Sequence, residues 1–360
     1  MRVTFLLPRT GEKPIGGFKI IYQYGEKIAS SGHEVNYVYG IICRKDLPRI
    51  IRYAYCFVRS IRYLKYRFFK NWKPYKWFNR EMLGRHYLRL SLSEKQLPPS
   101  DVVIGSSWTT ALWLNDYKTI AQENKYYFIQ AYENWHGGDD KVIATWKMAL
   151  KKIVIAPWLK EMADRMGEES VMIENGFSLT DFFVENDVMS RDPQTVMMLW
   201  HDNPIKRSSM GLSICKSIHE LIPNLKLILF GVEPGPDNLP DWIEYYQQPS
   251  ISQLRKLYNS AAVFIGTSSS EGWGLTVGEA MLCGCAVACT DNGGYKAMAI
   301  DGQTALVSPV DDEVSLKQNI VRLITDQKLR TTLALQAAEY VKKFDFNTQA
   351  DKFMKLIMNR

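Results

Sequence analysis

The sequence predicts an α/β protein built from two doubly wound, Rossmann-like domains. Three observations predict it. Short apolar runs recur along the chain, each too brief for a core helix and each followed by a glycine or polar turn. Stretches of helical spacing fit between these runs, the alternation that builds a mostly parallel sheet. The cycle runs twice within 360 residues, a length suited to two domains.

VTFLLP, from Val3, is the first strand. The loop RTGEKPIGG ends on Gly16 and Gly17, which open a helix through about Ala29. Gly32-His33-Glu34 then turns into a second strand, VNYVY. This is a βαβ unit without GxGxxG, so a dinucleotide is not indicated. Gly16 and Gly17 at a helix start suit a phosphate or another closely approaching ligand; an ordinary tight turn is the plain alternative.

Residues 44–98 form a basic, aromatic insert. Of the chain's net charge of +7, residues 44–95 alone carry +12, with 15 Lys or Arg against 3 Asp or Glu, which leaves −5 for the rest. Ile51, Ala54, Phe57, Val58, Ile61, Leu64 and Phe68 recur every three or four positions, with Arg52, Arg59, Arg62 and Lys70 largely on the other side. That is an amphipathic helix. Aromatic and basic residues stay interleaved through Trp72, Tyr75, Trp77 and Phe78. Such a segment can lie on an anionic membrane or meet an anionic acceptor, so residues 49–80 are a candidate peripheral membrane contact. The plain alternative is a helix packed on its own domain with a solvated basic face. No nucleic-acid recognition module is present.

Further strands lie at Asp101–Ser106, in YYFIQAYE, at Ile153–Ala156 and in VMIENGF. The first domain is set at 1–155. The second, 156–345, holds strands in TVMMLWH, LKLILFG, at 262–265, in CAVACT and in ALVSPV, with helices after Ser209, at 251–260 and from Val314. A last helix, within 346–360, is expected to return to the first domain. A cleft between the two sets of strand ends is the expected architecture.

Composition narrows the class. An apolar content of 46% fits a packed globular protein. Six cysteines occur with no CxxC pair and no metal-like spacing. Buried thiols in a reducing compartment are the expectation. No signal peptide and no apolar run of membrane-spanning length are apparent, so a cytoplasmic protein, peripheral to a membrane at most, is expected.

Residues 268–290, SSSEGWGLTVGEAMLCGCAVACT, organise the rest. Glu271 sits at the carboxyl end of the buried run 262–265. Gly272 and Gly274 let the backbone turn tightly, and a helix begins at Leu275. Free N–H groups and the helix dipole there make an anion site. Glu279 lies eight residues after Glu271, just over two helical turns. Two carboxylates beside a phosphate site more plausibly grip hydroxyls of a sugar or ribose. Otherwise, Glu271 caps the helix and Glu279 is solvated.

These pieces, in order, resemble a family. Glu271-Gly272-Trp273-Gly274-Leu275, Glu279-Ala280-Met281, Gly284-Cys285-Ala286-Val287, Asn292-Gly293-Gly294, Asp301-Gly302 and Leu306-Val307-Ser308-Pro309 are similar to the EGFGL…EAM…GxPVV region of the retaining, metal-independent glycosyltransferases of family four, which have the GT-B fold. Glu174-Asn175-Gly176 stands where that family has PNG, which makes Asn175 a candidate donor contact.

The resemblance implies further roles. Glu271 would hold donor-sugar hydroxyls, together with the backbone at Gly272, Trp273 and Gly274. Leu275 and Thr276 would approach the diphosphate, Glu279 the ribose diol, and Lys206 the leaving group, where fixed positive charge is worth most. The chain departs from the pattern in three places. Trp200-His201-Asp202 replaces the usual arginine before Lys206, so Arg207 or His201 is the substitute. Tyr132-Glu133 stands where a histidine is common, leaving Glu133 and the nearby His136 as first-domain catalytic candidates. Tyr295-Lys296 follows the glycine pair, where an acidic residue often comes further on. No DxD occurs, so no metal or other cofactor is expected beyond a donor of the GDP-mannose or UDP-hexose class.

The expected function is therefore hexosyl transfer, with retention, from a nucleotide-diphosphate sugar to a glycan, lipid or protein-linked acceptor. The competing readings are a sugar-nucleotide epimerase, a dinucleotide-dependent enzyme, and a non-catalytic protein that binds a membrane surface.

Overall fold

The computed structural model describes residues 1–8, 14–69, 72–78, 82–134 and 138–358. The chain divides into two compact units, Met1–Glu174 with Ala350–Arg360, and Asn175–Gln349. The expected boundary near 155 therefore differs from the observed division at 174. The reason is the strand after residue 155: Ser170–Met172 pairs with Lys152–Val154 and completes the first sheet.

In the first unit the elements run β1 (Arg2–Leu7), α1 (Gly16–Ser30), β2 (Glu34–Ile42), α2 (Arg49–Phe69), β3 (Arg85–Ser91), β4 (Val102–Gly105), α3 (Trp108–Leu114), β5 (Lys125–Ile129), α4 (Asp139–Trp146), β6 (Lys151–Val154), α5 (Pro157–Arg165) and β7 (Ser170–Met172). The sheet order is β3-β2-β1-β4-β5-β6-β7, and every pairing is parallel. The central strands are buried on both faces, which is why they read as unbroken apolar runs. β3 is an addition to the expected elements. Its sequence, RHYLRLS, mixes basic and apolar residues, and all but Arg85 are partly buried, as suits an edge strand.

The second unit continues with β8 (Thr195–Leu199), α6 (Ser208–His219), β9 (Lys226–Gly231), β10 (Ile243–Gln247), α7 (Ile251–Ser260), β11 (Val263–Gly266), α8 (Leu275–Leu282), β12 (Ala286–Thr290), β13 (Leu306–Ser308), α9 (Glu313–Thr325), α10 (Gln327–Val341) and α11 (Phe346–Met358). Its sheet, also parallel, has the order β10-β9-β8-β11-β12-β13. Val196 and Met198, Leu227 and Leu229, and Val263 and Ile265 alternate into one core with Ile214, Ile218, Leu316 and Ile320 of the covering helices.

From Ala350 onward α11 belongs to the first unit. Phe353 is wholly buried there and stacks on Tyr24 at 4.4 Å between ring centres. The Tyr126 hydroxyl donates to the Leu356 carbonyl at 3.1 Å. Burying one such aromatic contributes about 1.5–3 kcal/mol toward holding this helix on the first unit.

Candidate active site

In both sheets the strand order reverses beside the strand that begins the unit: between β1 and β4, and between β8 and β11. Loops leaving the carboxyl ends of those strands diverge, and ligands of open α/β sheets bind in the crevice so formed. In the second unit Lys206 follows β8 and Glu271 follows β11. The loops are laced together. Ser269 N–H donates to the Ile205 carbonyl at 2.8 Å, and the Thr267 hydroxyl to the Lys206 carbonyl at 2.7 Å. Lys206 Nζ thereby reaches Glu271 Oε1 at 2.6 Å, and both side chains keep partial access to solvent.

Glu271 is held from behind. Ser268 Oγ donates to the same Oε1 at 2.8 Å. The Ser268 carbonyl in turn accepts from Asn292 Nδ2 at 2.9 Å and from the Thr290 hydroxyl at 2.6 Å. Asn292 Oδ1 accepts from Gly294 N–H at 3.1 Å, which folds the Asn292-Gly293-Gly294 turn against the loop. A side chain at residue 294 would have no room, because its Cβ would lie 2.6 Å from Glu271 Cβ and 2.7 Å from the Glu271 carbonyl oxygen.

Gly274 caps α8 in the left-handed region, with φ of +94°. A Cβ there would also meet the ring of buried Tyr295 at 2.5 Å. No side chain caps this helix, so its first-turn N–H groups, at Leu275 and Thr276, have no intrahelical acceptor. An ammonium, a helix N-terminus and a carboxylate thus share one crevice.

The remaining second-unit candidates differ in how far they can reach a ligand. Trp273 is buried, with its ring against Phe344 at 5.1 Å and Phe177 at 6.5 Å, so its indole belongs to the core and only its backbone can serve a ligand. Gly272 lies in the turn before it. Glu279 is only 4% exposed, and the buried Tyr258 hydroxyl donates to its Oε2 at 3.4 Å. A solvated Glu279 is thereby corrected: the helix turns that carboxylate inward. Arg207 has left-handed backbone, with φ of 53°, and pairs with Asp311 at 2.8 Å. His201 Nδ1 accepts from Asn203 N–H at 2.9 Å. Burial first, and the Lys206 charge second, hold its pKa below the usual histidine range, so it is a neutral ring at neutral pH. Arg207 follows Lys206 in the chain and directs its guanidinium to Asp311. Asn175 is buried in the second unit, beside a turn where Phe177 N–H donates to the Phe344 carbonyl at 2.7 Å.

Gly16, Gly17 and Glu133 belong to the first unit. Gly16 opens α1, with no side-chain cap. A Cβ on Gly17 would lie 3.3 Å from Gln130 Nε2, just past β5. Glu133 Oε2 accepts from Trp108 N–H, at the start of α3, at 2.8 Å. That bond gives the carboxylate a helix-capping role. His136 and the loop residues 9–13 lie outside the described residues.

Ser268 and Asn292 support Glu271, and neither stands out as a site residue in the sequence. The Asn-Gly-Gly turn is the available signal, since it marks where the chain doubles back on the β11 loop.

Residues 190–340 match the family model described as "Glycosyl transferases group 1". Over that segment, which lies within the second unit, the chain is similar to that family. The matched segment contains Lys206, Glu271, Glu279 and all of α8. Phosphatidyl-myo-inositol mannosyltransferase of Mycolicibacterium smegmatis is 22% identical over 203 residues, covering 54% of this chain and 53% of that one. The chain thus spans about half the length of the curated relative it matches. Similarity to solved structures is more extensive. Sucrose-phosphate synthase from Thermosynechococcus elongatus superposes with a TM-score of 0.73 at 17% identity, covering 99% of this chain and 98% of that one. Anabaena HepE in complex with UDP and glucose gives 0.73 at 13% identity, covering both chains in full. These likenesses show the fold, two Rossmann-like domains of the GT-B type. The expected family and fold class are borne out.

Within that family frame, the crevice has the chemistry for an anionic leaving group. The α8 N-terminus carries roughly half a positive charge, and Lys206 adds a full one. Glu271, held by Ser268 and Lys206, offers acceptor oxygens to hydroxyls.

Proposed function

We propose that the chain transfers a hexosyl group, with retention and without a metal, from a nucleotide-diphosphate sugar of the GDP-mannose or UDP-hexose class to a glycan, lipid or protein-linked acceptor. The convergence of Lys206 and Glu271 at 2.6 Å beside the uncapped start of α8 carries this reading. The diphosphate lies against the helix N-terminus and draws Lys206 toward its oxygens. Glu271, relieved of part of its ion pair, accepts hydroxyls of the sugar. As the glycosidic bond breaks, charge grows on the departing phosphate, and the fixed cation and N–H groups stabilise it where it grows. Glu279 serves the ribose from inside the helix.

Relatives support the chemistry by name, as a mannosyltransferase and as a protein crystallised with UDP and glucose. Cys215, Cys283, Cys285 and Cys289 are free and wholly buried, which supports a reducing compartment.

The test is to incubate the chain with a panel of nucleotide sugars and acceptor glycans in excess EDTA. A new glycoside with the donor's anomeric configuration is expected. Activity that appears only on adding magnesium would overturn metal independence, and an inverted anomer would overturn retention. An epimerised donor without any glycoside would replace the whole reading.

A further inference from the structure

Helix α2 presents its apolar side to solvent. Ile50, Phe57, Ile61, Leu64 and Phe68 recur at three and four residues, so they share one face. They are 84%, 71%, 57%, 61% and 84% exposed. Ala54, on the same face, is exposed too. Tyr63 and Tyr66, from the other side of the helix, are half-buried where α2 packs over β2 and β3. This is the reverse of an ordinary surface helix, whose apolar stripe faces the core. The plain alternative, a helix with its apolar face packed on its own domain, is thereby corrected.

Aromatic residues just beyond the helix anchor this inversion. Trp72 packs edge-on to Tyr39 at 5.0 Å, Tyr75 lies 4.4 Å from His86, and Trp77 and Phe78 lie 5.7 Å and 5.3 Å from Tyr22. The aromatics of 72–78 are thus consumed by the domain, whereas Phe57 of α2 is 71% exposed.

From this we infer that α2 docks flat on an anionic lipid bilayer, with Ile50, Phe57, Ile61, Leu64 and Phe68 sunk among the acyl chains. From Ile50 to Phe68 the stripe is about 27 Å long. No described helix is long and apolar enough to cross a membrane, so α2 lies in the interface rather than through it. Charge selects the occupant. The helix holds six Lys or Arg and no Asp or Glu, within the segment that carries +12. A second copy of this chain would bring the same charge against it. An anionic bilayer supplies both an apolar interior and negative headgroups. The inference stands on the first unit alone and is independent of the donor site.

Co-sedimentation of the full chain with vesicles tests it. Binding is expected to mixed phosphatidylcholine–phosphatidylglycerol vesicles, and far weaker binding to phosphatidylcholine alone. The double variant Phe57→Ser/Leu64→Ser, which removes only exposed groups, should bind at least about tenfold more weakly with an unchanged melting temperature. Replacing exposed Lys65, Lys73 and Lys76 with glutamine should cost roughly fivefold per lysine, and high salt should mimic that loss. Equal binding to both vesicles, no binding, or a double variant that binds like the parent would overturn the inference. A dimer in gel filtration that the double variant dissolves would reassign the stripe to a second copy. Binding to an acidic protein without binding to vesicles would reassign it to a protein partner.

Discussion

The two glutamates of α8 and its preceding turn are not equivalent, and their surroundings say why. Glu271 is partly exposed and shares one oxygen between Lys206 and Ser268. Glu279 is buried with the Tyr258 hydroxyl. A group beside the breaking bond can strengthen its grip in the transition state, whereas a remote group holds substrate and transition state alike. Glu271→Gln should therefore lower kcat more than it raises the donor KM. Glu279→Gln should chiefly raise KM, by about 1–2 kcal/mol in binding. Steady-state kinetics on both variants decides this; a silent Glu271→Gln beside an inactive Glu279→Gln with normal KM would reverse the assignment. Gly294→Ala tests the support of Glu271. Its added methyl must displace the Glu271 backbone, so stability should fall by about 1–3 kcal/mol in thermal denaturation, with kcat reduced.

At the level of elements, the strands that build the second-unit site are legible in the sequence because they are buried on both faces. Val196–Met198 and Val263–Ile265 read as apolar runs, and the glycine turn after β11 announces α8. The edge strands β3 and β10 do not read as separate elements, since Arg85–Ser91 and Ile243–Gln247 mix polar and apolar residues without a strong run. The helical period of α2 is legible, but not which face it buries. That depends on how α2 packs over β2 and β3, a tertiary fact. Likewise, the Lys206–Glu271 pair spans 65 residues, and its expectation comes from family resemblance rather than spacing.

The packing beneath the insert also carries a pH dependence. His86 lies between the rings of Tyr37 at 4.7 Å and Tyr75 at 4.4 Å, and its Nδ1 is 3.0 Å from the Tyr39 hydroxyl. Burial pushes its pKa down to about 3. The unfolded chain protonates this ring near its ordinary pKa, so stability is present above that value and falls as pH drops toward 3. The slope is at most about 1.4 kcal/mol per pH unit, and shallower where the ring edge is wet. His86→Phe should accordingly lose less melting temperature than the parent between about pH 7.5 and about pH 5. Equal losses in both would show that the ring is protonated without cost.

For the molecule as a whole, two sheets of the same winding carry different equipment. The second unit holds the ammonium, the uncapped helix and the paired carboxylate at its switch point, and the family match falls on it. The first unit carries the basic helix with its apolar face outward. Charge and chemistry are thus divided between the units, which fits a donor site on one and an anionic surface or acceptor on the other. The claim on which the functional reading depends is that Lys206 and the α8 N-terminus hold a diphosphate. Calorimetric titration of a small panel of nucleotide sugars into the parent and into Lys206→Ala, both in EDTA, tests it most directly. At least one donor should bind the parent and bind the variant roughly ten- to a hundredfold more weakly, the loss of a charge-assisted contact of about 1.5–3 kcal/mol. A donor that binds both proteins with the same affinity would contradict the account.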